Sequence, residues 1–213
     1  MKQLITLLGF LLLSSSLTQA QANCQDAPPD GLSPLAAYSL FYENFRNGEY
    51  EFALRYGKWM ACAKPEQLQG NPQFSLEKQY SRLVKIYDEI GRTKEDPALR
   101  SAHVDTALTL LNESLELFGT NPESRYDIIF DRGRFYQQNY DYVEDGLQTA
   151  YDDYIELFEI DTERAIGMAN GYYLRLALDN LVSKGDKAEA QAFIDKVKPL
   201  ATGDNLEFIE EQQ

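Results

Sequence analysis

Few residues of this chain are equipped for chemistry, and they are widely spaced. His103 is the only histidine among 213 residues. A Ser-His-Asp or Cys-His relay needs an imidazole beside a nucleophile, and His103 stands in a helical stretch with no nucleophile motif around it. One histidine and two cysteines are too few for a zinc site. Neither GxGxxG nor GxxxxGK[ST] occurs, so the usual phosphate-cradling loops are missing. The expectation is a chain with no catalytic residues, no metal and no cofactor.

The stretch "QNYDYVEDGLQTAYDDY", Gln138 to Tyr154, comes nearest to a metal site. An EF-hand loop needs oxygen ligands at places one, three and five, Gly at six and Glu at twelve. With Gly146 sixth, Asp141 and Asp145 fit places one and five. Val143 then occupies the third place and offers no ligand, and Asp152 at the twelfth is a carbon shorter than glutamate. Two failures in five requirements favour a different reading, an acid-rich helix start in which Asp141, Glu144 and Asp145 face the positive end of the helix dipole. A carboxylate-based active site on Asp141, Asp145 and Asp152 is the enzymatic rival.

"RYDIIFDRGRF" gathers Arg125, Arg132 and Arg134 in an acidic protein. Arginine forks bind carboxylates through paired hydrogen bonds. The three, with Tyr136 and Tyr140, are therefore the candidate binding set for a partner's carboxylate. The competing reading is pairing within the helix, to Asp127 or Asp131. The 14 tyrosines divide in the same way between shoulders of the core with wet hydroxyls and anchors in an interface.

These residues need elements to position them. The N-terminus "MKQLITLLGFLLLSSSLTQAQANC" has one lysine, an apolar run from Leu4 to Leu13 and small residues ending at Ala22. That is a secretory signal peptide, residues 1–22, with an apolar run about half the length that spans a bilayer. The expected compartment is the periplasm, with secretion as the alternative. Acylation of Cys24 is disfavoured, because Gln21 and Asn23 stand where a leucine-like and a small residue belong. In an oxidising compartment an even count permits a Cys24–Cys62 disulfide. It would close a loop of about 38 residues, worth about 4 kcal/mol.

The net charge is −14, and loss of Lys2 with the signal makes the remainder one unit more acidic. Nucleic acid and anionic lipid both demand a basic footprint, so neither is an expected partner. About 190 residues remain after the signal, enough for one domain with its own core.

Beyond residue 32 the apolar period is helical almost throughout. Eight helices are expected, at about 33–46, 50–64, 76–91, 97–118, 122–138, 142–159, 163–183 and 186–200. Residues 23–32 read as an N-terminal tail, 33–203 as the helical domain and 204–213 as a C-terminal tail. Short connections pair the eight as four antiparallel hairpins. Small residues fall where paired helices must approach: Ala53, Gly57, Gly133, Gly146, Ala150, Ala177 and Ala190.

Two segments resemble the tetratricopeptide repeat. In "NGEYEFALRYGKWMACAKP", Gly48 is followed five places on by Ala53 and then by Pro65. "KGDKAEAQAFIDKVKPL" repeats the theme with Gly185, Ala190 and Pro199, and "GRFY" supplies the Gly133/Tyr136 pair of a first helix. Gly48 and Gly185 stand about 137 positions apart, close to four periods of about 34 residues. The first and last hairpins carry the motif, while residues from about 75 to 118 carry only the helical pattern. The chain is also similar to the exported, tyrosine-rich repeat proteins of Bacteroidetes-type envelopes. The resemblance implies an all-α fold, a right-handed α-solenoid of about four hairpins whose concave groove binds protein or peptide segments without catalysis. The expected function is an exported scaffold or adaptor. The alternative is a helical module that binds a small molecule or glycan for an envelope uptake system.

Overall fold

The computed structural model describes residues 27–185 and 187–212. The signal peptide, the start of the tail and the Cys24 end of the cysteine pairing lie outside the described residues.

Proline and a polar residue mark the starts of several helices. α1 (Pro34–Arg46), α4 (Pro97–Phe118) and α5 (Pro122–Gln138) each open on proline, whose missing N–H costs nothing in the first turn. The residue before each proline caps it. Ser33 Oγ accepts from Ala36 N at 3.3 Å, Asp96 from Ala98 N at 2.9 Å, and Asn121 from both Glu123 N and Ser124 N. Ser75 caps α3 (Leu76–Arg92) in the same manner. α2 (Tyr50–Ala63) follows the turn at Gly48, which takes φ +76°.

Among the described residues there is no β-strand, and helices adjacent in sequence pack on one another in space. The small positions serve close approach. A Cβ on Gly57 would stand 2.7 Å from Leu83 and 2.8 Å from Phe41, so α2 lies tightly between α1 and α3. A Cβ on Gly133 would stand 2.8 Å from the Tyr154 ring, which lets α5 meet α6 (Gly146–Ile160).

The core has two centres. The first gathers α1–α4 around Phe41, Met60, Tyr80, Leu83 and Ile86, with Phe135 of α5 reaching into it. The second lies around Tyr154, Leu157, Phe158, Leu174 and Phe193, with edge-to-face rings such as Phe158–Phe193 at 5.0 Å. Tyr136 packs against both.

The structure departs from the sequence reading in three places. The sixth helix begins at Gly146 rather than 142. Tyr140–Tyr142 forms a 3-10 turn, Val143 is extended and Asp145 is left-handed at φ 54°. Asp141 and Glu144 therefore precede the helix rather than facing its dipole from within the first turn, and Leu147 is exposed.

The expected seventh helix, 163–183, is two. α7 (Thr162–Gly167) and α8 (Tyr172–Lys184) are separated by Met168–Gly171, where Ala169, Asn170 and Gly171 all have positive φ. Alanine in that region is costly, by about 1 kcal/mol or more, and the C-terminus braces it. Arg175 Nη1 donates to Asn170 O at 2.9 Å and to Asn205 Oδ1 at 3.2 Å, and Asn205 Nδ2 donates to Ile166 O.

That bracing residue belongs to the third departure. After α9 (Lys187–Val197) and a short turn, the expected tail 204–213 forms α10 (Asp204–Glu211), which buries Ile209. No described helix is long and apolar enough to cross a membrane.

Candidate functional site

α3 and α5 run side by side in the same direction. At their N-terminal ends Ser124 Oγ donates to Glu77 Oε2 at 3.2 Å, and at their C-terminal ends Asn139 Nδ2 reaches Asp88 Oδ1 at 3.4 Å. Between them lies an open groove of about 960 Å³, with Leu111 and Ser114 of α4 at its floor. Val84, Ile128, Phe130 and Phe135 add apolar surface to the walls.

The α3 wall carries Glu77, Asp88 and Glu89 against Lys78, Lys85 and Arg92, and so has no net sign. The α5 wall carries Glu123, Asp127 and Asp131 against Arg134 alone. Some of these charges are already committed. Arg92 Nη2 holds Asp88 at 2.9 Å, and Asp127 pairs with Arg164 of α7. Glu123 and Asp131 have no ion-pair partner among the described residues. Asp131 lines the groove and is exposed to water. Burial pushes its carboxyl up from the ordinary value, Arg134 pulls it down, and Asp127 adds to the upward push.

Of the five residues expected to bind a carboxylate, the structure brings one to the groove. Arg134 lines it, its guanidinium 5.5 Å from the Phe130 centroid. Arg125 is paired with Glu156 of α6. Arg132 faces α6, where Nε and Nη2 hold Asp153 at 3.0 and 2.6 Å while Nη1 donates to Asn112 at 3.1 Å. The Asp153 side chain is 4% exposed and that of Arg132 17%. Burial pushes the Asp153 carboxyl up more than Arg132 pulls it down; burial also pulls the Arg132 guanidinium down, but hydrogen bonding and charge from Asp153 and its neighbours outweigh that and leave it raised. Tyr136 is half-buried between the two cores, and Tyr140 lies in the turn before α6, its Cα against Gly146.

The arginine cluster is therefore dispersed by its own partners. Those partners sit on the next helix rather than four residues away, and local spacing could not have found them. The groove acids stand at positions 123, 127 and 131, a four-residue step along one side of α5; the sequence reading took Asp127 and Asp131 only as partners for the arginines of the same helix.

The other candidates are structural. His103 Nδ1 lies 2.7 Å from Leu99 O, and the His103 Cβ packs on Gly91. Asp152 binds Lys184 at 2.8 Å, and no three potential metal ligands gather among the described residues. Burial pushes the Tyr126 hydroxyl up to about 12 and those of Tyr80 and Tyr154 higher still, so these tyrosines stay neutral core shoulders. Cys62 lines a smaller cavity of about 340 Å³ between α2, α3 and α4.

No protein-family model matches the chain, and neither does any curated protein or solved structure. Fold and groove together define a class: an all-α protein of successively packed helices with an open, charged groove between two parallel ones.

Proposed function

We propose that this chain is an exported, tetratricopeptide-like α-solenoid that acts as a scaffold or adaptor, holding a segment of a protein partner in the α3/α5 groove without catalysis. In this reading the signal peptide directs it to the periplasm, and a Cys24–Cys62 disulfide ties the tail to α2. The single observation behind it is the groove itself, an open trough between parallel helical walls. Repeat solenoids use concave surfaces of this kind for binding. From Glu77 to Arg92 the wall rises about 22 Å at about 1.5 Å per residue. That length accommodates an extended segment of about seven residues. An open trough suits a chain segment better than an enclosed metabolite, whose pocket buries most of its surface.

Ser81 is exposed and lines the groove, so Ser81→Trp should fill the trough and leave the core untouched. Peptides selected from a random library on the mature protein are expected to lose binding to this variant while its melting temperature stays unchanged. Failure to select any peptide, or equal binding to the variant, would overturn the proposal.

A further inference from the structure

We infer that the surface where α1 meets α3 docks an acidic segment of a protein partner, held by Arg46, Arg82 and Lys85 beside the rings of Tyr42 and Phe45. Of these five residues only Lys85 also lines the α3/α5 groove, and the inference does not require that groove to be occupied. Three cations converge here from two helices. Arg82 of α3 stands 4.6 Å from the centroid of the Tyr42 ring and 5.9 Å from that of Phe45. Arg46 of α1 lies 5.8 Å from the same Tyr42 ring, and Lys85 Nζ lies 5.8 Å from Phe45. Rings attract such cations by only about 0.5–1 kcal/mol each at exposed sites, so the cluster keeps most of its pull on an anion.

No acid completes the cluster. The chain carries 34 acidic side chains against 20 basic ones, and ten of the lysines and arginines are held in ion pairs. Arg46, Arg82 and Lys85 form none among the described residues. Acids are in surplus, yet none pairs with the place where three cations gather. The second observation is that the Arg82 guanidinium is already oriented. Its Nη1 donates to Gln79 Oε1 at 2.6 Å, and Gln79 is 3% exposed and anchored in turn by Nε2 donating to Ser75 O. Stacking on a ring uses the face of a guanidinium and leaves its edge of N–H donors for a carboxylate. A fork fixed beforehand loses little freedom on binding.

The net charge selects the class of partner. Salt confines the field of a surface charge to about 8 Å at physiological ionic strength, so a short acidic segment meets the three cations and little else. A nucleic acid or an anionic bilayer is extended, and would press against the acidic remainder of a chain whose net charge is −14.

The test titrates the mature protein with two labelled peptides of equal length, one carrying a run of glutamates and one with glutamine at the same places. A parallel arm uses vesicles of neutral lipid with about a quarter anionic lipid. Anisotropy is expected to rank the glutamate peptide about tenfold tighter than its glutamine counterpart, with no binding to the vesicles. Arg82→Gln with Lys85→Gln should erase that ranking. Arg82→Lys keeps the charge and loses the fork, and should weaken the glutamate peptide about threefold. Lys58→Gln with Lys187→Gln removes the same charge from exposed sites elsewhere and should preserve the ranking. Arg46→Gln with Lys85→Gln, both at exposed positions, takes the place of the first double variant if melting shows that one unfolded.

Equal binding of the two peptides would overturn the inference. So would equal effects of the cluster and control variants, which would reduce the attraction to net charge. Binding of the vesicles in place of the glutamate peptide would assign the surface to a membrane and overturn it as well. Arg82→Lys at wild-type affinity would overturn the part given to the guanidinium fork.

Discussion

The two faces of α5 carry the same kinds of side chain and treat them differently. Toward α6, Arg132 is forked onto Asp153 in a nearly dry interface. Toward α3, Glu123 and Asp131 line a trough with no ion-pair partner among the described residues. An unpaired charge buried in the interior costs several kcal/mol, so a helix face that packs must bring its counter-ion with it. A face open to water carries no such obligation. Charge on the open face can stay exposed to water, while the inward arginine is already occupied.

The largest expected effect breaks the inward side of this contrast. Asp153→Ala strands the Arg132 guanidinium and should lower stability by about 3–5 kcal/mol, read as a depressed denaturation midpoint. Arg132→Met with Asp153→Leu removes both charges and should regain most of that loss, since well-packed apolar side chains substitute for buried pairs at little cost. A single variant that unfolds no earlier than wild type would show that the interface is not a committed ion pair.

A smaller effect sharpens the outward side. Asp131 and Asp153 both have carboxyls raised above the ordinary value. On acidification the folded state takes up those protons before the unfolded chain does. Stability from these groups thus grows as pH falls through the window just above the ordinary carboxylate value, and is lost as pH rises through it. Asp131→Asn deletes one of the two contributions. Its melting temperature should climb less than wild type between neutral and mildly acid pH, and an identical slope would contradict the placement of Asp131.

The smallest effect concerns the arginine left at the rim. Arg125 and Glu156 side chains are 41% and 31% exposed, and pairs of that kind contribute about 0–1 kcal/mol. Arg125→Ala should barely move the melting temperature and should leave peptide binding unchanged. Loss of binding would restore Arg125 to the candidate site.

Much of the architecture was legible because it is locally encoded. Ser33-Pro34, Asp96-Pro97 and Asn121-Pro122 announce helix starts, and in each the polar residue caps the helix, while Gly57 and Gly133 sit where helices touch. The break at 168–171 was missed because an apolar stripe through Met168 and Tyr172 reads straight across it, although Asn170-Gly171 is a turn dipeptide. Arg175 and Asn205 secure that break from afar, a contact that no local window contains. α10 was read as a tail because a lone buried Ile209 gives too little periodicity to mark a helix. Arg134 was found for the site, but the direction of the charge was not. That depended on Glu156 and Asp153 withdrawing Arg125 and Arg132, and only packing decides such pairs.

The most direct measurement fills the trough. Ser81→Trp, verified as folded by its melting curve, is titrated beside the wild-type protein with peptides selected from a random library on the mature protein. If the α3/α5 groove holds a protein segment, wild type binds these peptides and Ser81→Trp does not. Equal binding to the two proteins would contradict the account.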